Sequence, residues 1–405
     1  MGEPRGNREP GEGVDRLAGD TDHCGTLSER ERAAPVGDEE QLPVLYHRWM
    51  VELLGGAFRR EARSSCANCP MIGSIHPLHP VGGVRFSAES KCCTYLPQLP
   101  NFIVGLAASA EDDDLARKGA VSVLARIARG VGVTPLGLDK TPVYSALYES
   151  VKLQSFGRVG ALRCPHYVED AGACGVWRHR NAVCATWFCK HQSGGDGAKQ
   201  WAEVRDLLKV LERDLAIWAA IELGINGRRL SDAIDLAREP QADALTRELT
   251  AWDSASLWGP WADRKCEFFV RASTLVSGLD VSAALARSGP ESRARVAAIR
   301  DRFGRRSGCS SNPSRVRVAA GYRCLPGHAG KAWLAGYSPY DWLEVPAALW
   351  DAMQRLVADD RASTEGGVPT DEIAKPLLDI LLQWGVVTPV AQGVPVESGP
   401  VRDGE

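Results

Sequence analysis

The side chains with the most chemistry to offer in this sequence are its cysteines. Twelve are present, and eight of them fall between 66 and 189. Their spacing runs Cys66-x2-Cys69, then 22 residues to the adjacent pair Cys92-Cys93, then 70 residues to Cys164-x9-Cys174-x9-Cys184-x4-Cys189. A Cys-x2-Cys turn aims two thiolates at one metal. Adjacent cysteines cannot easily bridge to each other. They can reach two metals, two irons of one cluster, or one ligand position plus a structural contact. Each motif alone is weak, because cysteine is often just a small core residue. Two dense patches in loop-like sequence, joined by helices that could fold one onto the other, make Cys66, Cys69, Cys92, Cys93, Cys164, Cys174, Cys184 and Cys189 candidate metal ligands. Eight thiolates suit two four-sulfur sites, either zinc or an iron–sulfur cluster.

The residues around them extend the expectation. His76, His79 and His191 stand beside the patches and could complete a mixed ligand shell, although an exposed loop histidine is the commoner outcome. His166 and His179 are expected to orient loops by hydrogen bonding. Arg178 and Arg180 lie between two candidate ligands, where a guanidinium would offset thiolate charge. Trp177, Trp187 and Phe188 are the expected apolar shield. Cys24, Cys266, Cys309 and Cys324 lack neighbours at ligand spacing and read as incidental or structural. No G-x-S-x-G, H-E-x-x-H, P-loop or G-x-G-x-x-G fingerprint occurs, so no catalytic residue is assigned and whether the chain is an enzyme stays open.

The whole cysteine pattern resembles the YkgJ-type cysteine-cluster family, whose members are described as zinc- or iron-chelating. The family opens on a compact Cys-x2-Cys-x2-Cys-Cys and continues with C-x-[YF]-L and C-x-I-Y-x-x-R-P-x-x-C-R-x-F-P. Here Cys164-Pro165-His166-Tyr167 occupies the first of the later positions. The run from Cys174 through Trp177, Arg180 and Cys184 to Trp187, Phe188 and Cys189 follows the second in register. The likeness covers about residues 64–191. It departs from the family where the opening is split by an insertion, where Arg180-Asn181 replaces Arg-Pro, and where Ala185 replaces an arginine. The flagellin lysine N-methylase is distantly similar. That likeness implies a cysteine-bound centre that could support redox chemistry or methyl transfer on a protein or peptide. The alternative from a different class is a zinc-stapled interaction module without catalysis, with the C-terminal region as its contact surface.

The elements that must position these residues are mostly helical. Residues 1–41 are rich in Gly, Pro, Arg, Glu and Asp and are expected to be a disordered tail. From Leu42 the spacing of Leu45, Trp49, Leu53 and Leu54 predicts a helix. The proline-rich stretch 70–100 reads as a long loop that a metal at its two ends could fix. Helices are expected in NFIVGLAAS and AVSVLARIARGV, after a turn in TPLGLDKTPVYSALYESV, and most clearly in GAKQWAEVRDLLKVLERDLAIWAAIEL, where Trp201, Val204, Leu208, Leu211, Leu215 and Trp218 form one stripe. Further helices are expected in ALTRELTAWDS and EFFVRASTLVSGLDVSAALA. A Gly/Ser-rich linker near 305–314 separates a helical cysteine-cluster domain (42–304, metal core 64–191) from a C-terminal α+β module (315–392). In the latter, RVRVAAGY and KAWLAGYS read as strands, VPAALWDAMQRLVADD as a helix and TDEIAKPLLDILLQWGVVTPV as a helix running into a strand, a winged-helix-like order. The fold expectation is therefore mainly α, an irregular cysteine-rich core plus that small module.

Composition bounds the rest. A net charge of -3 gives no reason to expect a nucleic-acid partner. There is no signal-peptide core and no apolar run of membrane-spanning length, so a cytoplasmic location, reduced thiols and no membrane partner are expected.

Overall fold

The computed structural model of the protein describes residues 42–56, 61, 69–72, 86–130, 132–238, 257–305, 313–326, 330–363 and 367–390. The expected tail, Cys24, Cys66, His76, His79, Cys309 and the helix expected at ALTRELTAWDS lie outside the described residues.

The fold is mainly α, with small antiparallel sheets at its C-terminal end. Helix α1 (Val44–Leu54) buries Leu45, Trp49 and Leu53 and stops at Gly55, whose left-handed φ of 69° closes the last turn. A two-residue strand β1 (Leu99–Pro100) leads into α2 (Asn101–Ala108), buried nearly all round. Helix α3 (Asp114–Arg129) has the signals its sequence advertises: the Asp113 carboxylate caps it by accepting from Ala116 N at 2.7 Å, and Arg126 and Arg129 sit in the last turn. Strands β2 (Val133–Thr134) and β3 (Gly137–Leu138) form a hairpin against β1, in register Leu99↔Leu138 and Val133↔Leu138. Buried Asn101 ties this hairpin down. Its Nδ2 donates to Pro135 O at 3.0 Å and to Ala216 O at 2.8 Å.

Helix α4 (Pro142–Ser155) follows, then the short strands β4 (Tyr167–Val168) and β5 (Ala173–Cys174), paired Tyr167↔Cys174. The one-turn helix α5 (Ala182–Thr186) precedes α6 (Gly194–Glu222). The stripe read from the α6 sequence is buried from Trp201 to Leu215, while Trp218 is half-buried and donates to Glu222. Helix α7 (Gly227–Arg238) leads to α8 (Lys265–Ser277), α9 (Val281–Arg287) and α10 (Pro290–Arg305). The single helical run expected around EFFVRASTLVSGLDVSAALA is thus two helices, because Asp280 caps a new start by accepting from Ala283 N at 2.7 Å. The main core packs α1, α2, α6 and α8 around Trp49, Phe102, Trp258, Phe268 and Phe269. Helices α2 and α8 approach so closely that a Cβ on Gly105 would lie 2.0 Å from Phe269 O.

The C-terminal part holds two three-stranded antiparallel sheets. One orders β10 (Val368–Pro369), β6 (Arg315–Val318) and β11 (Val387–Pro389) with β6 central; the other orders β7 (Arg323–Pro326), β8 (Lys331–Ala335) and β9 (Leu343–Pro346) with β8 central. Helices α11 (Ala347–Ala362) and α12 (Lys375–Gln383) complete a separate small core around Val316, Leu334, Met353 and Leu381. Strands β7 and β9 were not among the expected elements. Among the described residues no single helix is long and apolar enough to cross a membrane.

Candidate metal centre

The chain brings its two cysteine patches to one place. Cys69, Cys92, Cys93, Cys164, Cys174, Cys184 and Cys189 all line a single cavity of about 370 Å³. Seven of the eight candidate ligands are therefore juxtaposed; Cys66 lies outside the described residues.

Backbone contacts set each thiol in place. The turn bearing Cys92 and Cys93 is held by Cys93 N donating to Ser90 O at 2.9 Å, and Cys164 N donates to Cys93 O at 2.7 Å, joining the patches directly. Lys91, in a left-handed turn with φ 49°, donates to Gly172 O at 2.5 Å and so links the same turn to the β4–β5 hairpin that carries Cys174. Helix α3 packs onto that hairpin through Gly119 and Gly175: a Cβ on Gly119 would lie 2.0 Å from Gly175 O. Cys184 rides on α5, whose cap is Asn181. Its Oδ1 accepts from Cys184 N at 3.0 Å while its Nδ2 donates to Gln98 O at 2.9 Å. Asn181 thus does local work at the position where the resembling family has proline. Buried Glu212 of α6 braces the same helix start, accepting from Ala182 N at 2.6 Å and from Tyr46 OH at 2.5 Å.

Burial shapes the acid–base chemistry. Cys164 is pushed up to about 11 by burial. Cys184 and Cys174 are raised for the same reason, and neighbouring cysteines add to it. Cys92 is raised first by its hydrogen bond to Cys93 and then by burial, and Cys69 by burial. For Cys93 the bond to Cys92 pulls down, but burial and the nearby Cys174, Cys164 and Cys184 win and the net is upward. At neutral pH without metal these are neutral thiols, and a metal must displace their protons to bind.

Cations oppose this rise: Lys91 pulls Cys69 down and Arg126 pulls Cys164 down, and a third acts on other thiols of the cavity. Arg180 is buried, lines the cavity, stacks its guanidinium 3.4 Å from the Trp177 ring centroid and donates from Nε to Trp177 O at 3.0 Å. Its charge pulls Cys92, Cys174 and Cys184 downward. Arg178, expected to share that role, instead pairs with Asp113 at 3.2 Å and does not line the cavity, because the carboxylate that caps α3 is the nearer partner.

The histidines separate in the same way. His166 is buried and held below its ordinary range, at about 3, by burial and then by Arg126. Arg126 can only donate, so His166 Nε2 accepts at 3.4 Å and Nδ1–H donates to Ser122 Oγ at 2.7 Å; the Ser122 hydroxyl donates in turn to Gly119 O. That is the loop-orienting role expected of it. His179 is lowered to about 4 by burial. His191 is buried against Phe188 and Tyr337 and does not line the cavity.

Trp177, Trp187 and Phe188 do line it, as the shield reading expects. Sequence reading missed three others. Phe86, Phe156 and Tyr340 join Trp187 in a quartet with centroids 5.1 to 6.2 Å apart. Tyr340 comes from the C-terminal part of the chain, and no spacing in the sequence could have placed it here. Cys266 packs on the main core and Cys324 on the C-terminal core, consistent with structural roles.

Among the described residues, no three His, Cys, Asp or Glu side chains converge on a single-ion position. The thiols surround a volume rather than a point. A four-sulfur zinc site needs all its sulfurs about 2.3 Å from one centre. The donor set suits a thiophilic group. No family model, curated protein or solved structure matches the chain. The resemblance of the cysteine pattern therefore rests on its own residues.

Proposed function

We propose that the protein is a metal-binding cysteine-cluster protein whose cavity thiols hold an iron–sulfur cluster. The observation that carries this is the convergence of Cys69, Cys92, Cys93, Cys164, Cys174, Cys184 and Cys189, drawn from two distant stretches of sequence, on one cavity. When bound, such a cluster supplies one-electron chemistry. The chain's own residues do the rest: Arg180 offsets thiolate charge, and Trp177, Trp187 and Phe188 keep water from the sulfurs. Redox or methyl transfer on a protein or peptide is the reaction class in view, the latter supported only by the resemblance to flagellin lysine N-methylase. Within this reading the C-terminal part is a winged-helix-like module in a cytoplasmic protein; in the zinc-stapled alternative it is the contact surface.

Anaerobic purification followed by iron, zinc and acid-labile sulfide analysis tests it. A brown protein with several irons and sulfide per chain is expected. A colourless protein with stoichiometric zinc would sink it in favour of the zinc-stapled module, and a chain that takes up neither metal under reducing, metal-replete conditions would end both readings.

A further inference from the structure

Tyr95, Asn181 and Val183 line the thiol cavity and also a second, larger one of about 720 Å³. That size is in the range of small-molecule sites. Its carboxylates are all engaged. Glu212 accepts from Tyr46 and Ala182, and Asp139 accepts from Gln98 and from Thr134. Asp206 and Glu291 pair with Arg295 at 3.6 Å each, and Glu291 also pairs with Arg213 at 3.2 Å.

Lys140 is different. Its Nζ lies 3.8 Å from the Tyr95 ring centroid, and the charges that act on it, Cys184, Glu149 and Lys209, act at longer range than an ion pair. It is not a loose surface side chain, since the residue before it, Asp139, closes the hairpin by donating its N–H to Gly132 O at 2.7 Å. Burial pulls its ammonium below the ordinary lysine range. Lys209, exposed on the adjoining face of α6, lines the same cavity, and its charge acts on Glu212. Leu136, Val210, Ile217 and Ile234 give the same cavity apolar wall. A partly desolvated ammonium with a ring as its partner leaves binding capacity for an anion.

We propose that this second cavity binds a small organic anion, its carboxylate or phosphate head held by Lys140 with Lys209 and its apolar body by Val210, Ile217 and Ile234. This goes beyond the metal reading and stands without it, because no thiol lines the site, although the charge of Cys184 reaches Lys140. Through Tyr95 it nevertheless adjoins the thiol cavity, so a bound anion would be neighbour to whatever that cavity holds.

The test is calorimetric titration of the full chain, metal-free and metal-loaded, with hexanoate, hexyl phosphate and the neutral hexanamide. One of the two anions is expected to bind at one per chain, and hexanamide at least tenfold more weakly; which anion is preferred assigns the head group. Lys140→Met should weaken binding at least tenfold with metal content unchanged, and Lys140→Arg, which keeps the charge, should retain it within a few-fold. No binding of either anion, or binding unaltered in the Lys140→Met/Lys209→Met double variant, overturns the site. A chain that binds the anion yet takes up no metal would separate this inference from the proposed cluster.

Discussion

The cavity thiols coordinate only as thiolates, and burial opposes the loss of the proton at Cys69, Cys92, Cys93, Cys164, Cys174 and Cys184, so binding energy has to be supplied by the metal, with help from Arg180, Arg126 and Lys91. Removing one sulfur should therefore matter far more at the cavity than elsewhere. Cys69→Ala and Cys184→Ala are expected to lose most bound metal and to loosen the loops around them, whereas Cys266→Ala, set on the main core away from the thiols, should keep full metal content. Equal metal in all three variants would contradict the ligand assignment. Glu212 offers a test that needs no metal. Its carboxyl is raised from 4.5 to about 7 by burial. Between those values the native state holds a proton that the unfolded chain releases, so stability falls as pH rises through the window, by about 3 kcal/mol in all. His166 and His179, held at about 3 and about 4, work in the opposite sense: what they contribute is present above their ordinary 6.5 and is lost as pH falls. The difference between wild type and Glu212→Gln isolates the carboxyl. Unfolding measured on metal-free protein should show the variant gaining on wild type by roughly that 3 kcal/mol between about pH 4.5 and about pH 8. A pH-independent gap would show that Glu212 is not the titrating group.

The short elements that carry ligands are held by caps and close contacts, since their own hydrogen bonds are too few to stabilise them. Helix α5 spans only Ala182–Thr186 and depends on Asn181 for both its first turn and its tie to the Gln98 loop. Asn181→Ala should cost about 1 kcal/mol of stability and, because Cys184 rides on this turn, should also raise the rate at which a chelator strips the metal. A stability loss with unchanged stripping would make α5 mere scaffold. Gly119→Ala should do more, since its new Cβ would meet Gly175 backbone and push α3 off the β4–β5 hairpin. The long elements here were legible in the sequence: α1, α3 and α6 follow apolar spacing, and Gly55 ends α1 as Gly130 ends α3. The ligand-bearing ones were less so. Strands of two residues such as β4 and β5 have no periodicity to read, although they pair with each other across a short turn, Val168 with Ala173. β7 and β9 were missed because their partner β8 supplies the bonds that define them. The cysteines themselves were readable from spacing, while Arg178 was misjudged because the competing carboxylate, Asp113, lies 65 residues back.

At the scale of the whole molecule, the C-terminal part helps to close the thiol cavity. Tyr340 packs edge-on to Phe86 and Trp187, with centroids 5.8 Å away in each case, and Tyr337 accepts from His191 N at 3.1 Å. The backbones meet closely as well: a Cβ on Gly194, at the start of α6, would lie 2.3 Å from Gln383 O of α12. The aromatic wall belongs to a third, smaller cluster, in which Phe86 with Phe156, Trp187 and Tyr340 stands over the side of the cavity where Cys69, Cys92 and Cys189 pack with Met71. None of this could be read from the chain between 64 and 191, where the sequence concentrates its cysteines. If the wall guards the centre, Tyr340→Ala should leave the amount of metal bound unchanged, because no ligand is lost, yet let it escape faster. Metal transfer to an excess of chelator, followed by absorbance, is expected to run several-fold faster in the variant, and oxygen should bleach a bound cluster faster in the same proportion. Tyr340→Phe, which keeps the ring and drops only the hydroxyl, should behave as wild type. Equal rates in all three proteins would mean that the aromatic quartet is ordinary packing and that the metal is protected by the cysteine loops alone.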